Sequence, residues 1–250
     1  MSLIPDGPPI VLLNAFPVDR AQWEPLISSW GDRVPGDVIT FDMPGIGEMP
    51  LTEEEPGLEL IADAAVLAMR EATGQQAAIW IGCSMGGYVA MAVAERAPDA
   101  VAGLGLIATK ATADSEEALA GREDAARAAE AAGGSPDPRA AAEGLVGTEG
   151  AAREELVEWV AANIARHRGE GIAWGQRAMA ARPDRTEVLR AVDAPAVVVG
   201  GAKDGIIPRE ALDQMAAALG VEPVIIEGAG HLVALEAPVE TATALLPLLR

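Results

Sequence analysis

The sequence predicts an α/β fold, a mostly parallel sheet flanked by helices, with a helical cap inserted into it. Three observations carry this. Short apolar runs alternate with segments of helical periodicity. Residues 111–182 break the alternation: they are rich in Ala, Glu and Arg and hold no strand-like run. The alternation then resumes to the end of the chain, so the predicted organisation is a core of 1–110 plus 183–250 and a cap of 111–182.

Taken in order, 9–14 reads as a strand and 19–30 as a helix, with Asp19 placed to cap it. Residues 37–42 form the next strand, and 43–57, rich in Pro, Gly and Glu, a loop. Leu58, Ile61, Ala65 and Met69 recur at helical spacing and predict a helix over 58–73. An apolar strand at 77–81 and an Ala-rich helix at 88–96 follow, then a strand at 101–108. Helices of the insertion break at Gly133-Gly134-Ser135-Pro136 and at Gly147-Thr148-Glu149-Gly150. Beyond it lie a helix at 186–192, a strand at 195–200, a helix at 208–219, a strand at 222–227 and a helix after Pro238.

The chain has 250 residues, half of them hydrophobic, enough for a large core. No apolar run approaches a membrane span, and the first residues show no basic stretch followed by an apolar signal core. The expected compartment is the cytoplasm, which suits a chain with one cysteine, Cys83. The net charge of −20 repels phosphate backbones and anionic membranes, so neither nucleic acid nor membrane is an expected partner. A small-molecule substrate is the expected partner; nothing in the sequence specifies an oligomeric state.

Between the strand at 77–81 and the helix at 88–96 lies Gly82-Cys83-Ser84-Met85-Gly86-Gly87. Gly-x-Ser-x-Gly between a strand and a helix is the pattern of a nucleophile elbow, which lifts a serine hydroxyl clear of the sheet. In such a turn Cys83 points into the core. A serine hydroxyl needs a base, and the base an orienting acid. Of two histidines, His167 lies in a charged run and reads as solvated, whereas His231 sits in Gly230-His231 after the last strand. Asp204, after the strand at 195–200, is the leading acid, with Asp114 the alternative. The backbone amides of Met85 and Phe16 are the expected oxyanion donors. Asn14, Ile206 and Leu232 flank these positions, and Trp174 can reach down from the cap; each is a pocket candidate equally compatible with core packing. Lys110, Arg177 and Lys203 are the cations that could meet a carboxylated substrate, though solvated positions suit each as well. No ligand-spaced cluster implies a metal, and no loop implies a nucleotide or other cofactor.

Over nearly its whole length the chain resembles the α/β-hydrolase superfamily. The matching segments are the loop Asn14 to Pro17, Asp42-Met43-Pro44-Gly45-Ile46-Gly47, the elbow at Ser84, Gly201 to Asp204, and Gly230-His231. The resemblance implies a helical cap over the site and a structural role for the Asp-x-x-Gly-x-Gly loop. The family's usual His-Gly is replaced by Asn14-Ala15, which resembles the 3-oxoadipate enol-lactonase branch, as does Phe16-Pro17-Val18-Asp19 followed by Trp23. The few residues before the first strand imply that the two leading antiparallel strands of the full fold are reduced or absent. The expected chemistry is hydrolysis of a small or medium carboxylic ester or lactone by Ser84, Asp204 and His231. Carbon–carbon, thioester or cofactor-free perhydrolase chemistry on the same residues, or a non-catalytic receptor, are the alternatives.

Overall fold

A computed structural model describes residues 7–34 and 36–249; the segment before the first strand, where leading strands would fall, lies largely outside them. The elements run β1 (Ile10–Leu13), a 3-10 turn (Arg20–Trp23), α1 (Glu24–Trp30), β2 (Val38–Phe41), α2 (Leu58–Thr73), β3 (Ala78–Cys83), α3 (Met85–Arg96) and β4 (Val101–Ile107). Four helices follow: α4 (Glu116–Ala132), α5 (Pro138–Leu145), α6 (Ala151–Ile164) and α7 (Gly169–Ala180). The chain closes with α8 (Thr186–Arg190), β5 (Ala196–Gly201), α9 (Arg209–Leu219), β6 (Val224–Ile226), α10 (Val233–Glu236) and α11 (Pro238–Leu245).

The six strands form one sheet in the order β2-β1-β3-β4-β5-β6, and every pairing is parallel. A sheet of this kind is covered on both faces, so its strands are apolar throughout and their side chains alternate between two cores. Val11, Leu13, Trp80, Leu104 and Leu106 face one core, with residues of α2, α3 and α9. Ile10, Leu12, Ile79, Ile81 and Val199 face the other, with Trp23, Leu26 and Leu245. Trp80 is fully buried and its indole N–H donates to the Ala100 carbonyl at 2.8 Å, so a large side chain is packed without stranding its donor. The predicted helix over 58–73 is α2, with Leu58, Ile61, Ala65 and Met69 all buried. It stops at Gly74, whose φ of +71° accepts the left-handed C-cap. Asp19 caps the 3-10 turn, not a single helix: its side chain accepts from the Ala21 amide, and α1 starts only at Glu24, with Pro25 in its first turn.

Strand order reverses between β1 and β3, which makes their C-terminal ends the crevice of the sheet. The insertion lies above that edge. Its two ends meet, since the Arg185 amide donates to the Ala111 carbonyl at 2.9 Å. Arg185 is itself buried and pairs with Glu59 and Glu95, fixing the re-entry point to α2 and α3.

Two polar clamps hold the insertion down. The first corrects the sequence expectation for His167, which is buried, not solvated, at 5 % exposure. Its Nε2 donates to Asn163 Oδ1 at 3.3 Å and its Nδ1 accepts from the Gly47 amide at 3.4 Å. Asn163 in turn exchanges hydrogen bonds with the Asp19 amide and carboxylate at 3.1 and 2.9 Å. The charged neighbours point out while the ring at the end of α6 turns in, a direction no run of charges in the sequence specifies. In the second clamp, Glu236 accepts from the amides of Gly147, Thr148, Gly230 and Leu232 and from the Thr148 hydroxyl, at 2.7–3.1 Å. One carboxylate thereby ties the α5–α6 linker to the loop after β6, where the backbones of Gly147 and Gly230 leave no room for a Cβ.

Both clamps are testable. Burial, the largest influence, lowers the His167 pKa from its usual 6.5. The unfolded chain therefore binds this proton more readily. The stabilisation is present above pH 6.5 and is lost as pH falls toward the lower folded value. Between about pH 7 and about pH 5 the Tm of the wild type should fall more steeply than that of His167→Gln, measured by circular dichroism. Glu236→Ala leaves five donors without their acceptor and should cost about 3 kcal/mol in urea denaturation.

Candidate active site

The elbow is built by close approach. A Cβ at Gly82 would overlap the Gly86 carbonyl, and one at Gly86 would overlap the Leu13 carbonyl. Glycine at both positions lets the first turn of α3 sit directly on the ends of β1 and β3. Ser84, at the turn between them, has φ +53° and ψ −114°, a conformation costly for any residue with a side chain. The surroundings hold it there. Its amide donates to the Ile107 carbonyl at 2.9 Å, and its carbonyl accepts from the Thr109 hydroxyl at 2.8 Å. Gly87 is required in turn, because a Cβ there would strike the Thr109 side chain. Cys83 faces the other way: it is buried, its thiol lies 3.7 Å from the His231 carbonyl, and burial above all pushes its pKa up. It is not a thiolate at neutral pH.

His231 and Asp204 come from the loops after β6 and β5. His231 Nδ1 and Asp204 Oδ2 are 2.9 Å apart, with both side chains 1 % exposed. The other carboxylate oxygen accepts from the amides of Ile206 and Ile207 at 2.8 and 3.0 Å, so Asp204 is also the former of its own turn. The His231 amide donates to the Leu145 carbonyl of α5 at 3.0 Å, which links the ring's position to the insertion. Asp114, the alternative acid, is engaged elsewhere. Arg182 bridges it, at 2.8 Å through Nη1, and Arg122 and Lys110 join them, Lys110 at 3.1 Å. Burial works against its charge, but the hydrogen bonds from Arg182 and Arg122 outweigh it and hold the carboxyl below the usual range. Arg182 also stacks on the Tyr88 ring, 4.2 Å from its centroid.

The loop after β1 is fixed from both sides. Asn14 Nδ2 donates to the Val18 carbonyl, and the Ala15 amide donates to Gln22 Oε1 at 3.1 Å. The amides of Phe16 and Met85 have no acceptor within the chain among the described residues. The Asp42 loop braces this arrangement: Asp42 accepts from the amides of Arg20 and Glu48 at 2.7 and 3.1 Å, and Gly45 and Gly47 turn with φ of +74° and +60°.

Ser84 and His231 open on one cavity of about 750 Å³ between the sheet edge and the insertion. Phe16 and Ile206, both expected near the site, line it. Three other expected pocket residues do not. Asn14 is fully buried and spends its side chain on the loop backbone. Trp174 is buried in the core against the Asp42–Gly57 loop, donating to the Glu54 carbonyl at 3.2 Å. Leu232 is buried in the core on the opposite face of the sheet. Apolar residues beside a site in sequence turn to whichever surface is dry, and for these two it was the core. None of the cations expected from sequence lines the cavity: Lys110 pairs with Asp114, Arg177 with Glu123 and Glu130, and Lys203 with Glu149. Arg122 does line it, with Ala125 and Ala129 along one stripe of α4 and Gln176 and Met179 from α7. The signal in the sequence was an arginine leading a stripe of alanines at helical spacing.

Among the described residues no group of three or more His, Cys, Asp or Glu is placed to hold a metal ion, and no helix is long and apolar enough to cross a membrane. The chain is 32 % identical, over 98 % of its length, to the dihydrolipoyllysine-residue acetyltransferase component of the acetoin cleaving system of Pseudomonas putida. It is 33 % identical, over 40 % of its length, to the pimeloyl-[acyl-carrier protein] methyl ester esterase of Methylococcus capsulatus. It spans 64 % and 37 % of those two proteins. Its fold is similar to that of a thermophilic esterase from Thermogutta terrifontis, with a TM-score of 0.88 and 32 % identity over 96 % of this chain and 88 % of that one. It is also similar in fold to the enol-lactonase of Burkholderia xenovorans LB400, with a TM-score of 0.83 and 23 % identity over 97 % and 91 % of the two chains. The Alpha/beta hydrolase family model matches residues 10–244, and with the parallel sheet, the elbow and the order of strand ends this makes the chain a member of the α/β-hydrolase family.

Proposed function

We propose that this hydrolase cleaves a small or medium carboxylic ester or lactone through an acyl-enzyme on Ser84. The observation that carries the reading is that a strained serine and an Asp204-bound histidine open on one cavity. Asp204 accepts from Nδ1–H, which leaves Nε2 as the basic nitrogen. Nε2 takes the Ser84 proton as Oγ attacks the carbonyl carbon. The amides of Phe16 and Met85, which have no acceptor of their own, receive the oxyanion, a contribution of about 3 kcal/mol per donor in such sites. Collapse breaks the bond to the leaving oxygen, which departs with the proton from His231. Water then attacks the acyl-enzyme with the same histidine as base, and Ser84 recovers its proton. The imidazolium formed in each half is stabilised by the Asp204 carboxylate. Residues 111–182 act as the cap that keeps bulk water from the acyl-enzyme. The mostly apolar lining of the cavity suits an acyl chain. The reading draws support from the esterase from T. terrifontis and the methyl ester esterase of M. capsulatus.

A fluorophosphonate tests it directly. Intact mass should show one adduct on the wild type, none on Ser84→Ala and strongly slowed labelling on His231→Ala. Asp204→Asn should lose about 10⁴-fold in kcat toward 4-nitrophenyl esters while remaining folded, because the amide stabilises the wrong tautomer. Folded wild type that takes no adduct would favour a non-catalytic receptor.

A further inference from the structure

Arg122 is the one permanently charged side chain lining the cavity among the described residues. Its guanidinium is only partly committed. Nε is on Asp114, and Nη1 donates to Gln176 Oε1 at 3.0 Å and lies 3.4 Å from the Met179 sulfur. Nη2 has no acceptor among the described residues. Nor does Asp114 neutralise it, since that single carboxylate is shared with Arg182 and Lys110. The cluster carries three positive charges against one negative. Of these three cations only Arg122 lines the cavity.

We propose that Arg122 is a specificity-determining residue that binds a carboxylate on the acyl part of the substrate, so that the preferred substrates are monoesters of dicarboxylic acids. The proposal rests on the hydrolase reading above for the reaction itself. A planar guanidinium with free donors suits a carboxylate, and an uncharged acyl end would leave those donors dry and unpaired. Gln176 and Asp114 hold the guanidinium plane in place before the ligand arrives. The apolar residues Phe16, Ala125, Leu145 and Ile172 suit the methylenes between the two ends of such an acyl group.

Binding is measured without turnover by titrating Ser84→Ala with monomethyl esters of the straight-chain diacids from succinate to suberate and with the matching neutral dimethyl esters. At the best chain length the monoanion should bind at least about tenfold more tightly than its neutral partner, as expected for a hydrogen-bonded charge pair. Arg122→Gln in that background should remove the advantage, and Arg122→Lys should keep part of it. Equal binding of monoanion and neutral ester at every length, or a preference that survives Arg122→Gln, overturns the proposal. The first of these outcomes is read with position 122 intact, so a poorly folding Arg122 variant does not shelter it. Fluorophosphonate labelling of the wild type is scored separately. A labelled Ser84 with no anion preference sinks this inference alone, whereas an unlabelled wild type sinks the hydrolase reading.

Discussion

The site depends first on a steric constraint, the contact of the first turn of α3 with the ends of β1 and β3. No side chain fits at Gly82 or Gly86, and the backbones meet where one would stand. That contact forces Ser84 into a positive φ and sets its amide on β4. It also brings the backbone of Leu13 and Asn14 against the start of the helix. The strain is local and small against the dry interior that holds it, since nearly every residue of β3 and α3 is buried. Loss of either glycine would move the serine, the amides and the helix together.

The second constraint is electrostatic. The fold places carboxylates at two comparable positions, after β4 and after β5, and gives them opposite surroundings. Asp114 meets three cations and no histidine; Asp204 meets His231 and two backbone amides. A carboxylate surrounded by guanidinium groups has little basicity left to lend to an imidazole. One whose other oxygen is bound only by neutral amides keeps an oxygen directed at the ring. The same fold therefore uses one aspartate to gather cations beside the cavity and the other to orient the histidine within it.

Much of this was legible in the sequence. The strands, α2 and the breaks between the insertion's helices follow from apolar runs, helical spacing and Gly-rich punctuation. The expectations for the elbow, the histidine after the last strand and Asp204 over Asp114 come from motif context and chain order, and His231 Nδ1 lies 2.9 Å from Asp204 Oδ2. What sequence could not supply is direction. His167 sits among charges yet turns inward, because Asn163 and the Gly47 amide offer it partners from distant segments. Trp174 and Leu232 are as apolar as the residues that do line the cavity, and only packing sends them into the two cores. Arg122 is not legible as a site residue, because an arginine in an Ala-rich helix ordinarily faces water; its place on the cavity depends on which side of α4 the helix α7 covers.

The meeting of Ala111 with Arg185 has an evolutionary consequence. A segment that leaves and rejoins the sheet at points one hydrogen bond apart can be lengthened, shortened or exchanged without displacing a strand. Arg185, anchored on two other helices, keeps the junction closed whatever the loop above it contains. Selection can then act on the cavity walls supplied by α4 and α7, while α5 stays tied to the His231 loop through the Leu145 carbonyl. The scaffold is suited to gaining a new specificity by replacing its roof, and grafting of a related insertion between these two residues is a practical route to redesign.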